Sequence, residues 1–272
     1  LPDVNEGQFM FTVNAADDII YGLGAIKGLG EGPIGSILDA RESAGEFTDI
    51  FDFCARTDAR KVNRRAIEAL VRSGALDSLG EDRWVIMLAL DDALKAAEQS
   101  ANNRDSGIAD LFGEVVPDGG KEGDSDVYAP YRKAIAWSEK ERLGGEKETL
   151  GLYITGHPID EYELEIRKFA ATRIADVRGD KSGSQFLAGL IVSIRTMKTK
   201  RGDTMAILTL DDRSGRIEVT VYAEAFNENR DLLVKDSIVI VEGAVAHDDY
   251  SGGLAMRAKG VSSLLQARQN HA

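Results

Sequence analysis

The sequence predicts an α+β chain of several modules, with an all-helical N-terminal half, a polar stretch, and a β-rich C-terminal domain. Three observations carry this. Up to residue 99 apolar residues recur at helical spacing, as at Ile67, Leu70 and Val71. From 100 to 134 that periodicity gives way to Gly, Asp, Ser and Pro. Beyond Thr172 the period drops to two, with Ile217, Val219 and Val221 alternating with Glu218, Thr220 and Tyr222. A chain of 272 residues, 43% hydrophobic and 29% charged, has material for one large domain or two medium ones.

In the first half, Gly32-Pro33 suits a helix start with proline at the first position, and Ile34, Ile37 and Leu38 then share a face. Phe47, Ile50, Phe51 and Cys54 repeat that spacing in a second helix beginning near Thr48. A third is expected from its N-cap Asn63 to Gly74, a good C-terminal glycine. A fourth, from about Asp82 to Glu98, brings Met87, Leu90, Leu94 and Ala97 into register. Helix returns after residue 134 at Ser138, whose capping-box partner is Glu141. Leu143, Leu150 and Ile154 form its stripe, Gly156-His157-Pro158 is expected to end it, and a short helix buries Ile159, Tyr162, Ile166 and Phe169. Strands follow near 185–198, 204–211, 216–222, 237–247 and 254–262, with a hairpin turn at Asp212-Arg213-Ser214-Gly215 and a helical stretch from Ala223 to Val234. Three strands, a helix and two strands is the order of a five-stranded OB-fold barrel, a fold that closes its own edges and binds oligonucleotides.

Composition excludes several classes. No run of about 18 apolar residues is present, so no membrane-spanning helix is expected. One cysteine, Cys54, forbids an internal disulfide and suits a reducing cytoplasm; with only three His, at 157, 247 and 271, a structural zinc site is not expected. The chain opens Leu-Pro-Asp and reads as a piece of a longer polypeptide. The net charge of −13 is uneven: residues 56–72 hold 6 bases and 2 acids, residues 185–216 hold 6 and 3, and residues 101–165 hold 7 bases against 15 acids. Local field decides where a phosphate backbone lies, so the two basic islands are the candidates. The plain alternative is a pair of solvated faces.

The chemistry-bearing motifs are few. Lys27-Gly28-Leu29-Gly30 with Gly32 suits a hairpin whose glycines let backbone approach a phosphate, with the following helix supplying N–H donors. Arg56, Arg60, Lys61, Arg64 and Arg65 surround a second helical turn, and two such hairpins make a sequence-blind phosphate grip. In the barrel, Lys198, Lys200 and Arg201 sit at the first loop and Arg213 and Arg216 at the second; Tyr222, Tyr250 and Phe186 are the aromatics that could stack bases, although Phe186 also fits a core position. The acid pairs Asp17-Asp18, Asp91-Asp92, Asp211-Asp212 and Asp248-Asp249, with Asp124 and Asp126, read as turn formers and solvent-facing charge rather than a two-metal site. His157 reads as a helix cap. Nothing resembles a catalytic triad or a Walker loop. Within the polar stretch, Leu111 and Phe112 form an adjacent apolar pair that suits a pocket on another protein.

The run Tyr21-Gly22-Leu23-Gly24-Ala25-Ile26-Lys27-Gly28-Leu29-Gly30-Glu31-Gly32-Pro33-Ile34 resembles the bacterial replicative DNA polymerase III alpha-subunit family. So do Cys54 to Asp58, Asn63-Arg64-Arg65, Ser73 to Asp77, Glu148 to Pro158, Thr199 to Gly202, Leu210 to Arg216 and Phe226 through Leu233. The resemblance implies a DNA-directed DNA polymerase parent, a nucleotidyltransferase, with this layout: end of the fingers region over 1–18, tandem helix-hairpin-helix over 19–99, linker with the clamp-binding motif over 100–134, connecting helices over 135–171, and OB domain over 172–272. Catalytic carboxylates and their Mg2+ would belong to a palm domain outside this segment, which by itself would hold no catalytic residue, cofactor or metal. Ile108, Ala109, Asp110, Leu111 and Phe112 align with the family's sliding-clamp motif, Gln-x-x-(Leu or Met)-Phe, with Ile108 at the Gln position. Implied partners are the clamp, duplex DNA at the hairpins, single-stranded template at the barrel and, through other domains, further holoenzyme subunits, but no membrane. A stand-alone single-strand-binding adaptor and the error-prone paralogue are the alternatives.

Overall fold

The computed structural model describes residues 1–14, 16–105, 126–179, 183–199, 202–248 and 252–270. These fall into two compact units, Leu1–Gly156 and His157–Ala272.

The first unit opens with a two-stranded ribbon, β1 (Thr12–Val13) against β2 (Ile19–Ile20). Helix α1 spans Glu31–Ala44 with Gly30 as N-cap, so Pro33 is the third helical residue rather than the first. The early position still suits proline, because the first-turn N–H groups have no intrahelical acceptor. Helix α2 (Ile50–Arg56) starts two residues later than Thr48, because Asp49 takes the cap and accepts from the N–H groups of Phe51 and Asp52. Helix α3 (Arg64–Ser73) is bounded as its sequence predicts: the Asn63 side chain accepts from Ala66 N–H, and Gly74 closes it in the left-handed region at φ +82°. Helix α4 runs Arg83–Asp105, about two turns beyond its expected end at Glu98. Gln, Ala and Asn carry only small helix penalties, and no Gly or Pro interrupts residues 99–105. The first residues of the expected polar linker are therefore helical, and Asp91 and Asp92 lie in a helix rather than a loop.

The core of this unit gathers Ile34, Ile37, Ile50, Phe53, Ile67, Leu70, Val85, Ile86 and Leu90. Phe53, fully buried, sits edge-on to Phe47 at 4.9 Å between ring centroids. Met87, Leu94 and Ala97 are only partly covered, so the buried stripe of α4 is shifted toward Val85, Ala89 and Ala93. Tyr128 packs on the same core, and its hydroxyl accepts the N–H of Ile50 at 2.9 Å. Helix α5 (Glu139–Leu150) has the predicted Ser138–Glu141 capping box. It stops at Gly151, at φ +78°, and not at Gly156, which leaves Ile154 outside the helix and partly exposed.

The buried face of α5 carries a charge. Glu146 has no exposed side-chain surface and accepts from Arg83 Nη1 at 2.9 Å, Thr155 Oγ1 at 2.5 Å, and the N–H groups of Ile154 and Thr155 at 2.8 and 3.0 Å. Arg83 also grips Asp77 through Nε and Nη2. Burial alone would raise the Glu146 carboxyl, but these donors outweigh it and hold the group below its ordinary value.

In the second unit, α6 (Glu163–Phe169) precedes a closed five-stranded barrel. Its strands are β3 (Gln185–Lys198), β4 (Thr204–Asp211), β5 (Arg216–Val221), β6 (Ile238–Asp248) and β7 (Gly253–Ser263). The order around the barrel is β3-β4-β5-β7-β6, closed by β6 on β3. Every pair is antiparallel except β5 with β7, the arrangement of an OB-fold. The period-two pattern finds its reason here: Leu208, Leu210, Ile217, Val219, Val221, Val241 and Met256 fill the interior. Helix α7 (Ala223–Glu228) is shorter than the expected 223–234, and α8 (Leu264–Asn270) follows β7. Gly243 stands at a bulge where a Cβ would meet the Arg257 carbonyl oxygen at 2.2 Å, so no other residue fits that backbone approach. Phe186 is not core: its side chain lies on the outside of β3, 47% exposed.

Candidate nucleic-acid interface

The glycine turn before α1 is open. Gly28 sits at φ +88°, and a Cβ built on Gly28, Gly30 or Gly32 would meet nothing within 4 Å. Leu29 points the other way, into the core, with 7% exposure, which pins the turn while its backbone faces out. Unlike α2, α3 and α5, helix α1 has no side-chain cap, so none of its first N–H groups is taken by a capping side chain. That arrangement suits an approaching anion. Lys27 is exposed beside this turn, with its amine 3.6 Å from a Cβ built on Gly151, at the C-terminal end of α5.

The basic residues of the second hairpin divide in two. Arg56 is turned inward: its guanidinium pairs with Asp52, donates to the carbonyls of Glu46, Ala40 and Gly45, and lies 4.5 Å from the Phe47 ring centroid. Arg64 is held by Glu68 and Asp91, and those hydrogen bonds raise its pKa. Arg60, Lys61 and Arg65 are exposed and hold no ion pair among the described residues. Charge counting treats all five alike; Asp52 and Glu68 stand four residues from Arg56 and Arg64 on the same helices, whereas Asp91 and the carbonyls of Glu46, Ala40 and Gly45 come alongside only on folding.

In the barrel the predicted cations also divide. Lys198 ends β3, whereas Arg213 and Arg216 flank the opposite end of β4, so the two loops do not form one basic patch. Lys200, Arg201 and Tyr250 lie outside the described residues, as do Ile108, Ala109, Asp110, Leu111 and Phe112. Arg213, at φ +72°, donates to Asp160 at 2.8 Å, and Arg216 Nε donates to Asp211 at 2.7 Å. Asp211 is nearly buried, against the expectation of a solvent-facing acid. Burial would raise its carboxyl, but Arg216, the Arg213 N–H and His157 hold it low. His157 is not a helix cap: α5 ends at Gly151, and the short 3-10 turn Asp160–Tyr162 has no side-chain cap. The His157 Nδ1 accepts the Ile159 N–H and its Nε2 lies 3.6 Å from Asp211, while burial outweighs the nearby acids and lowers its pKa.

The register reveals an outer face that sequence reasoning missed. Arg195, Ile207, Thr220 and Arg257 form one row across β3, β4, β5 and β7. Met197 faces Met205 in the next row, and Tyr222 follows β5, 48% exposed. Alternation along β3 already placed Arg195 and Met197 on one side, but β7 could not be aligned with β5 before closure was known. Such a face offers apolar contact from Ile207, Met197 and Met205 and cationic contact from Arg257, while Arg195 is held by Glu218 at 2.9 Å.

Two family models match the chain: a helix-hairpin-helix motif over residues 1–86, and an OB-fold nucleic acid binding domain over residues 186–264. The DNA polymerase III alpha subunit of Pseudomonas fluorescens is 52% identical over 99% of this chain, and that of Escherichia coli K12 is 46% identical over 100%. Over its whole length the chain is similar to a segment of the DNA polymerase III alpha subunit. It spans about a quarter of these curated relatives, 24% and 23% of their lengths. Among solved structures, the second OB-fold domain of replication protein A from Methanococcus maripaludis covers 34% of this chain and 94% of its own, with 21% identity and a TM-score of 0.26.

Proposed function

We propose that this segment is the DNA- and sliding-clamp-binding portion of a replicative polymerase, serving template-directed DNA synthesis whose nucleotidyl transfer occurs elsewhere in the parent, in the cytoplasm. The hairpins hold duplex phosphates. Leu111 and Phe112 dock in an apolar pocket of the clamp, and the outer face of β4 and β5 attends the single-stranded template. The observation that supports this best is the open, uncapped glycine turn in the same unit as the exposed Arg60, Lys61 and Arg65. Burying two large apolar side chains contributes on the order of 3–6 kcal/mol before ordering costs, so the clamp contact alone is micromolar or weaker. Tethering along DNA makes that sufficient.

Two measurements on one preparation test the division of labour. With Leu111→Ala and Phe112→Ala together, retention on immobilised clamp should vanish while duplex affinity is unchanged. With Lys61→Ala and Arg65→Ala, the log–log salt slope of duplex binding should fall by about 0.9 for each phosphate no longer neutralised, with clamp retention intact. Equal loss of both activities in either variant refutes the proposal.

A further inference from the structure

A cavity of about 340 Å3 opens in the second unit between α6 and the turn joining β4 to β5. Its floor is apolar: Ile159, Ile166, Ala170 and Ala188 are all buried. Its mouth carries three guanidinium groups, on Arg167, Arg173 and Arg213, each more than half exposed. The hydroxyl residues Thr172 and Ser214 complete the lining.

Three acids also line it, so the formal charge is zero, but they are not equivalent. Asp212 is saturated by donors of its own turn, the N–H groups of Ser214 and Gly215 at 3.0 and 3.1 Å and Ser214 Oγ at 2.6 Å, and by the Ile174 N–H at 2.8 Å. Glu163 shares a single oxygen, Oε1, between Arg167 and Arg173. Asp160 accepts from Arg213 and from the His157 N–H. Three guanidinium groups therefore face two carboxylates at the mouth, and each arginine places only one of its five donors on them. An apolar floor beneath an arginine rim, in a volume at the small end of the ligand-site range, matches a flat base carrying a phosphate. A terminal phosphate, with close to two charges and three free oxygens, suits three guanidinium groups better than a backbone diester with one.

We propose that this cavity binds a nucleoside monophosphate, free or as the phosphorylated end of a strand, with the base on the Ile159–Ala188 floor and the phosphate between Arg167, Arg173 and Arg213. The site rests on the proposed nucleic-acid function only for its ligand class. It lies at the far end of β4 from Lys198.

Calorimetric titration of the whole chain tests it. Deoxyadenosine monophosphate should bind at least tenfold more tightly than deoxyadenosine or inorganic phosphate. Arg167→Ala with Arg173→Ala should weaken it at least tenfold. So should Ala171→Trp, which fills the mouth from an exposed position and leaves the charges in place. An oligonucleotide with a 5′ phosphate binding as tightly as the mononucleotide supports strand-end capture; binding no better than its 5′-hydroxyl counterpart supports the free nucleotide. A mononucleotide no tighter than inorganic phosphate, or indifferent to both variants, overturns the proposal. Duplex and clamp binding measured on the same samples separate its failure from that of the proposed function, because neither involves this cavity.

Discussion

Removing Glu146 puts the energetics of the first unit under the most direct test. Glu146→Leu fits the volume but leaves Arg83, itself 6% exposed, short of one carboxylate, and strips acceptors from the Ile154 and Thr155 N–H groups and the Thr155 hydroxyl. Breaking a buried ion pair from one side costs about 3–5 kcal/mol. For a unit of this size that lowers Tm by roughly 6–20 °C, at about 2–4 °C per kcal/mol. Both tryptophans, Trp84 and Trp137, lie beside Arg83, so indole fluorescence reports this unit's melting selectively. Arg83→Met combined with Glu146→Leu should recover part of the loss, because no fully buried charge is left unpaired, Asp77 being partly exposed, while the orphaned N–H groups remain. The pH sign is fixed as well. Glu146 is depressed in the folded state, so its stabilisation is present above the ordinary value of 4.5 and is lost as pH falls through the folded value. The wild type should therefore lose stability on acidification more steeply than Glu146→Leu. A cost below about 1 kcal/mol for the single change, or equal acid sensitivity, would sink the reasoning.

Other consequences can be read with the same equipment. Gly74→Ala should destabilise far more than Gly80→Ala in urea melts: both sit at positive φ, but a Cβ at Gly74 meets Arg83 Nη2 at 2.4 Å and one at Gly80 meets nothing. Equal costs would mean backbone strain alone matters. Tyr128→Phe removes the acceptor of a buried Ile50 N–H and should cost about 1–3 kcal/mol in the same melts, whereas an effect within error would mean water replaces the hydroxyl. The Cys54 thiol is pushed up to about 12, by burial first and then by Asp49, so alkylation at pH 8 should require unfolding and speed up with denaturant. Rapid labelling of the native chain would contradict that.

The barrel was legible almost to the residue, because a half-buried strand writes its pairing in a period of two and its turns in Gly and Asp. The helix caps Asn63, Gly74 and Ser138 were legible too, being local side chain–backbone chemistry. Helix ends set without such signals were not, as with α4 running through Asn102 and Asn103 to Asp105. The site was legible as a set of cations but not as a sorted set. Arg56 and Arg64 are engaged by carboxylates or carbonyls within their own unit, Arg213 by one that lies 53 residues away in sequence. Glu146, in a segment that reads as solvated and acidic, is the most buried charge among the described residues of the first unit. For Glu146 and Arg213 the partner lies 63 and 53 residues away, which no local pattern encodes, whereas Asp52 and Glu68, four residues from Arg56 and Arg64, were within reach of one.

Because β7 pairs with both β5 and β6, and β6 returns to β3, each strand of the barrel has a neighbour on both sides. The open main-chain rows that remain are short: β3 meets β6 only over Gln185–Leu190, so Ser193–Lys198 of β3 and Ala244–Asp248 of β6 are paired on one side. A protein that grips this barrel is therefore left with its side chains, loops and helices, and an extended peptide that lengthens a sheet finds at most a row of five or six residues.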